Sequence, residues 1–170
     1  MPSFIEHEFR PVILGADITA YSLVRTFYEA YAVKSLVVNM SDTPVIGYSD
    51  LSEHVNVPNF HELGVFRSAL VEIGKKYGLD AGKKLLILGC GDWYVRMLVE
   101  NKDLLEPYFV IPYIDLELLD QLVLKDQFYA ILDRLDIPYP RTVVYDPDLL
   151  ASLPASVAGP SAMNAIAHCV

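Results

Sequence analysis

An α/β domain with an open parallel sheet of about five strands flanked by helices is predicted by three observations. Short β-rich runs alternate with stretches in which apolar residues recur at helical spacing. Twice, such a run ends in glycine and passes through an aspartate into a helix. The 170 residues, 53% apolar and 21% charged, supply one substantial core and give no compositional case for disorder.

Residues 11–15 (PVILG) form the first strand candidate, and Asp17 follows as a side chain suited to cap a helix. Ala20, Leu23, Val24, Phe27 and Tyr31 then recur at offsets of three and four, which predicts a helix with one sheet-facing stripe. Residues 35–39 (SLVVN) close a β-α-β unit, whose strands must be parallel and joined by a right-handed crossover. Residues 40–50 read as a loop and 54–57 (HVNV) as a third strand. Leu63, Phe66, Leu70, Ile73 and Tyr77 predict a helix that stops at Gly78. Residues 83–88 (KKLLIL) run as a buried strand into Gly89-Cys90-Gly91-Asp92, and Val95, Leu98 and Val99 continue as a helix. Residues 108–114 (YFVIPYI) are the fifth strand candidate, with Pro112 near the end. Asp115 caps a short helix to Val123. A last helix over 125–135 places Phe128, Ile131, Leu132 and Leu135 on an inner face and stops at Pro138 and Pro140. Residues 141–145 (RTVVY) suggest a strand of a following unit, and the text after Asp146 carries no amphipathic pattern. The repeated strand, glycine turn and helix make the domain Rossmann-like.

The formal charge of −9 repels a phosphate backbone, so nucleic acid is not an expected partner. The apolar runs are too short for a membrane span. Glu6, His7, Glu8 and Arg10 stand where an export signal would need an apolar stretch, so cytoplasmic residence is expected. Cys90 and Cys169 imply no disulfide framework, and the four histidines lack metal-ligand spacing; no metal site is expected.

In an open parallel sheet, ligands sit beyond the carboxyl ends of the strands, where glycine turns admit them and helix N-termini offer N–H donors. Gly15, Ala16, Asp17 and Thr19 form one such turn; Gly89, Cys90, Gly91, Asp92 and Trp93 form the other. These are the candidate substrate-binding residues. The plainer reading is that each glycine permits a tight turn and each aspartate caps a helix. Neither turn completes G-x-G-x-x-G, which disfavours a dinucleotide. Cys90 at a strand-to-helix turn fits either an activated thiol or a small buried residue, and no histidine lies near it in sequence. Asp115, Glu117 and Asp120 read as a solvated helix face.

The stretch 124–129 (LKDQFY), followed by 136–142 (DIPYPRT), resembles the segment where ATP-grasp enzymes pass from their N-terminal domain into the ATP-grasp fold, with Asp136 where glycine is usual. Residues 11–27 (PVILGADITAYSLVRTF) look like the first β-α unit of the carboxylate-amine ligase branch of that family. The resemblance covers roughly residues 10–145. It implies a pre-ATP-grasp domain over 1–124, the start of the ATP-grasp fold over 125–145, and a truncated or divergent tail over 146–170. It further implies small carboxylate and amine substrates, ATP and Mg2+ as cofactors of the intact enzyme, and an acyl-phosphate mechanism. Lys125 matches a lysine that reaches ATP phosphates in related enzymes; its plainer reading is an exposed first-turn residue. The family's second phosphate-binding lysine, adenine clamp and metal ligands are not found in the chain. Gly159 stands where that lysine would fall in 157–164 (VAGPSAMN), so this chain alone is expected to bind no nucleotide tightly and to lack ligase activity. Two alternatives remain: a binding or homo-oligomerising module with Trp93, Tyr94 and Tyr108 on an exposed edge, and an S-adenosylmethionine-binding methyltransferase-like domain.

Overall fold

Strands β1 (Phe9–Leu14), β2 (Ser35–Asn39), β3 (Ser52–Asn56), β4 (Lys84–Gly89) and β5 (Phe109–Val110) form one sheet in the order β3-β2-β1-β4-β5, every neighbouring pair parallel. The architecture comes from a computed structural model that describes residues 2–41 and 43–139. The expected strand over 141–145 and the tail over 146–170 lie outside the described residues.

The central strands are buried on both faces, as their unbroken apolar text requires. Helix α1 (Ile18–Tyr31) covers one face, where Ala20, Val24 and Ile46 bury against Ile13 and Val37. Helices α2 (Leu63–Gly74), α3 (Asp92–Glu100) and α4 (Lys102–Leu105) cover the other. Their Phe66, Leu70, Ile73, Met97, Leu98 and Leu105 meet Val12, Leu14, Leu36, Leu85 and Ile87. Arg10 on β1 reaches across to Glu53 on β3, and the Tyr77 hydroxyl donates to the same carboxylate, tying three elements together. Among the described residues no helix is long and apolar enough to cross a membrane.

Three expectations are corrected. The helix expected to run to Gly78 is α-helical only to Gly74 and continues as a π-helical turn over Lys75–Leu79, with the Asp80 N–H bonded to the Lys75 carbonyl. Gly78 lies within that turn and packs under Leu85, so it is a point of close approach and not the helix stop. The fifth strand spans two residues instead of seven. Pro112 has no N–H to extend the ladder, and Ile111 turns into the core.

The third correction concerns the last helix. Helix α5 (Leu116–Val123), capped by Asp115, lies against α3, and α6 (Lys125–Arg134) follows it. The stripe expected to face inward on α6 is covered only in part: Ile131 and Leu132 are half-buried, whereas Phe128 is 37% exposed and Leu135, just beyond, is 58% exposed. An apolar stripe buries only where another element lies over it, and periodicity carries no information about that element. The chain divides after Phe128 into two units, and the sheet with α1 to α5 belongs to the first. In the second, the Tyr129 and Tyr139 rings stack at 4.8 Å and the Tyr139 hydroxyl donates to Asp133.

Candidate functional site

Because all five strands are parallel, the segments leaving their carboxyl ends share one rim. Leu14 pairs with Gly89, so the two glycine turns emerge side by side from β1 and β4. The Cys90 N–H donates to the Leu14 carbonyl at 2.8 Å, and the Gly15 N–H donates to the Val38 carbonyl at 3.0 Å, which fastens both turns to the sheet. Gly15 has a φ of +124°, and a Cβ there would stand 3.0 Å from Cys90 Cβ. Only glycine fits both the conformation and the gap. Between β1 and β4 the strand order reverses, and this reversal point is where open α/β sheets form their ligand crevice.

In the first turn, Asp17 Oδ1 accepts from the N–H groups of Thr19 and Ala20, each at 3.0 Å. The plainer reading of Asp17 therefore holds for that oxygen: it caps α1. The Ala16 carbonyl accepts from the Thr43 hydroxyl, which pins the segment after β2 to this turn. In the second turn Asp92 does not cap α3. The cap position is Gly91, at φ +115° and without a side-chain bond, and Asp92 is the first helical residue, where its charge suits the helix dipole. A Cβ at Gly89 would collide with Tyr94 Cβ at 2.8 Å, so that glycine lets α3 close onto β4.

Trp93 is 42% exposed and stands edge-on to Phe66 at 5.9 Å, with Tyr94 behind it. Asp92, Trp93 and Arg96 with Leu119 and Val123 line a shallow cleft of about 190 Å3, small for a nucleotide. The edge expected to carry Trp93, Tyr94 and Tyr108 does not exist as a single surface. Trp93 follows the carboxyl end of β4, Tyr108 precedes the amino end of β5 against Gly74, and both tyrosines are partly buried on the core.

Cys90 is buried at 7% exposure. That burial, and secondarily the Asp17 carboxylate, push its thiol up to about 11. This favours the small buried residue over the nucleophile. Alkylation of the Cys90 peptide at about pH 8 is expected to run at least roughly tenfold slower than that of an exposed thiol and to accelerate as pH rises toward 11. A pKa raised from 9.0 in the unfolded chain stabilises the fold below 9.0, and that contribution is lost as pH climbs toward 11. Mass spectrometry of the labelled peptide and melting curves across that window check both.

Two residues of the rim had no place in the sequence reading. Tyr113 receives the Gly89 N–H on its hydroxyl at 2.9 Å, bracing the second turn from beyond β5. Asn39, the last residue of β2, is 3% exposed, and neither atom of its amide finds a partner. A polar residue closing an apolar strand was the available signal for Asn39; Tyr113 left none. Lys125 is exposed at the start of α6, and the bonds that join the two turns do not include it. Among the described residues no three His, Cys, Asp or Glu side chains are grouped to hold a metal.

No family model matches the chain, and no solved structure does. Over 152 residues, 89% of its length, the chain is 32% identical to D-aspartate ligase of Enterococcus faecium. It is a relative of an ATP-grasp ligase. The chain spans 36% of the length of D-aspartate ligase, and a match over 89% of the chain includes the second glycine turn and Lys125 whichever end is left over. A second match, 68% identical over 31 residues, is to maleylacetate reductase 2 of Cupriavidus pinatubonensis; it spans 18% of the chain and 9% of that protein. The resemblance to ATP-grasp ligases drawn from residues 10–145 thus agrees with the relationship to D-aspartate ligase.

Proposed function

We propose that the chain is the substrate-side domain of an ATP-dependent carboxylate-amine ligase, a pre-ATP-grasp domain whose glycine-turn rim holds an amino-acid substrate, with the ATP-grasp fold beginning near Lys125. The observation that carries this reading is the convergence of Gly15-Ala16-Asp17-Thr19 and Gly89-Cys90-Gly91-Asp92-Trp93 at the point where the strand order reverses. The relationship to D-aspartate ligase supports the reaction class and the choice of an amino acid.

The chemistry of the rim supports a part in substrate binding rather than in nucleotide binding. Asp17 and Asp92 are exposed carboxylates, and neither turn carries a cation. Such a rim repels phosphate and attracts ammonium. The rim does not fit ATP, and the described residues do not group to hold Mg2+. In an intact ligase those cofactors would form the acyl phosphate elsewhere. The rim's part is to hold the amino-acid substrate and to shield it, with Trp93 and Tyr94 as the apolar border. Lys125 is the residue we assign to the nucleotide side. A cation in the first turn opposes the helix dipole, so helix stability gives no reason for its position.

Titration of the 15N-labelled chain tests this reading. D-aspartate is expected to shift the backbone amides of both turns with saturation in the millimolar range, and ATP with Mg2+ is expected to leave them in place. A rim that responds to ATP at lower concentration, or is silent to every amino acid tried, sinks the reading.

A further inference from the structure

The side-chain amide of Asn39 has two donors and an acceptor, and none of them is used. Leaving an amide buried and unpaired costs about 1–3 kcal/mol, and such groups are few in folded proteins. Ser35 Oγ is likewise unpartnered, but it opens β2 at the amino end, away from the rim. Asn39 closes the same strand at the carboxyl end.

Strand alternation fixes which way Asn39 points. Leu36 and Val38 face the α2 and α3 side, whereas Val37 faces α1 together with Ile13. Asn39, two residues after Val37, shares the α1 face. Val37 pairs with Ile13, which pairs with the register of Leu88, so the next positions on that face are Asn39, Gly15 and Cys90. They form a row across the ends of β2, β1 and β4, one step beyond the rung of Val38, Leu14 and Gly89. The amide therefore stands beside the first glycine turn, under the segment that Thr43 ties to the Ala16 carbonyl and that Ile46 anchors.

We propose that Asn39 is a substrate-binding residue of this rim and takes the head group of an α-amino acid. Oδ1 accepts from the ammonium and Nδ2 donates to the carboxylate. A neutral amide offering both an acceptor and donors suits a zwitterion, and the Asp17 carboxylate of the adjoining turn, two residues past Gly15, favours the ammonium end. The assignment rests on the amino-acid reading of the rim and adds to it a residue and an orientation.

The test uses the full chain, D-aspartate as probe, and two readouts. In the wild-type chain the Asn39 Nδ2 proton resonances, assigned by their loss in Asn39→Leu, are expected to shift along the same binding curve as the Gly15 and Asp17 amides. Asn39→Leu is expected to melt at or above the wild-type temperature, because an unpaired polar group has been replaced by an apolar one. It is expected to weaken D-aspartate by about 10- to 100-fold, the loss of hydrogen bonds to a charged group. Rim amides that respond while the Asn39 resonances stay still, or an unchanged affinity in Asn39→Leu, overturn the role of Asn39 and leave the amino-acid rim standing. Silence at both overturns the rim and Asn39 with it.

Discussion

Phe66→Ala is expected to cost the first unit about 3–5 kcal/mol and to lower its melting temperature by roughly 10 °C or more. Phe66 is fully buried on α2, its ring 5.1 Å from that of Phe60 and 5.9 Å from that of Trp93. Truncation removes the transfer free energy of the ring and leaves a cavity in the core that Phe66 shares with Val12, Leu14 and Leu98, strand and helix residues that cannot collapse freely. The effect extends to the rim, because Trp93 rests edge-on against that ring. As the chain holds a single tryptophan, its emission is a direct reporter: it is expected to shift to longer wavelength in Phe66→Ala before unfolding. Melting followed by fluorescence and by circular dichroism measures both. A loss under about 1 kcal/mol would mean that α2 does not bear on the sheet as described.

Gly74→Ala is expected to cost about 1–3 kcal/mol, although alanine is the better helix former by about 1 kcal/mol. A Cβ on Gly74 would stand 2.4 Å from Tyr108 Cβ and 2.8 Å from its Cγ. Those atoms are the rigid root of the side chain, so relief requires α2 to move away from the strand that follows Tyr108. Gly64, in the first turn of the same helix, has nothing within 4 Å of where its Cβ would be. Gly64→Ala is therefore expected to be neutral or stabilising by up to about 1 kcal/mol. Parallel denaturation curves of the two variants decide the matter. Equal effects would show that helix propensity, and not contact with Tyr108, governs both positions.

The fold was legible because its signals are local. β2 was delimited residue for residue, and β1 and β4 came within two positions, since apolar runs bounded by glycine and charge define strands without reference to the rest of the chain. Asp17 was identified as a cap for the same reason: the N–H groups it satisfies lie two and three residues away. Asp92 failed the same inference because Gly91 took the cap position with a positive φ, which makes Asp92 the first helical residue. The π-helical turn was missed where Gly78 packs under Leu85, and β5 was drawn too long because Pro112, which offers no N–H, ends the ladder early.

What the sequence determined by itself is the α/β class, the parallel sheet and the two glycine turns, each following from residue spacing within one segment. Strand order was decided only in three dimensions. It places the two turns beside each other at the reversal point, sets Tyr113 under Gly89, and leaves the amide of Asn39 buried without a partner. The physical reason is range. Periodicity and capping act over three or four residues, whereas the row of Asn39, Gly15 and Cys90 joins positions at the ends of three strands whose adjacency arises when the core forms.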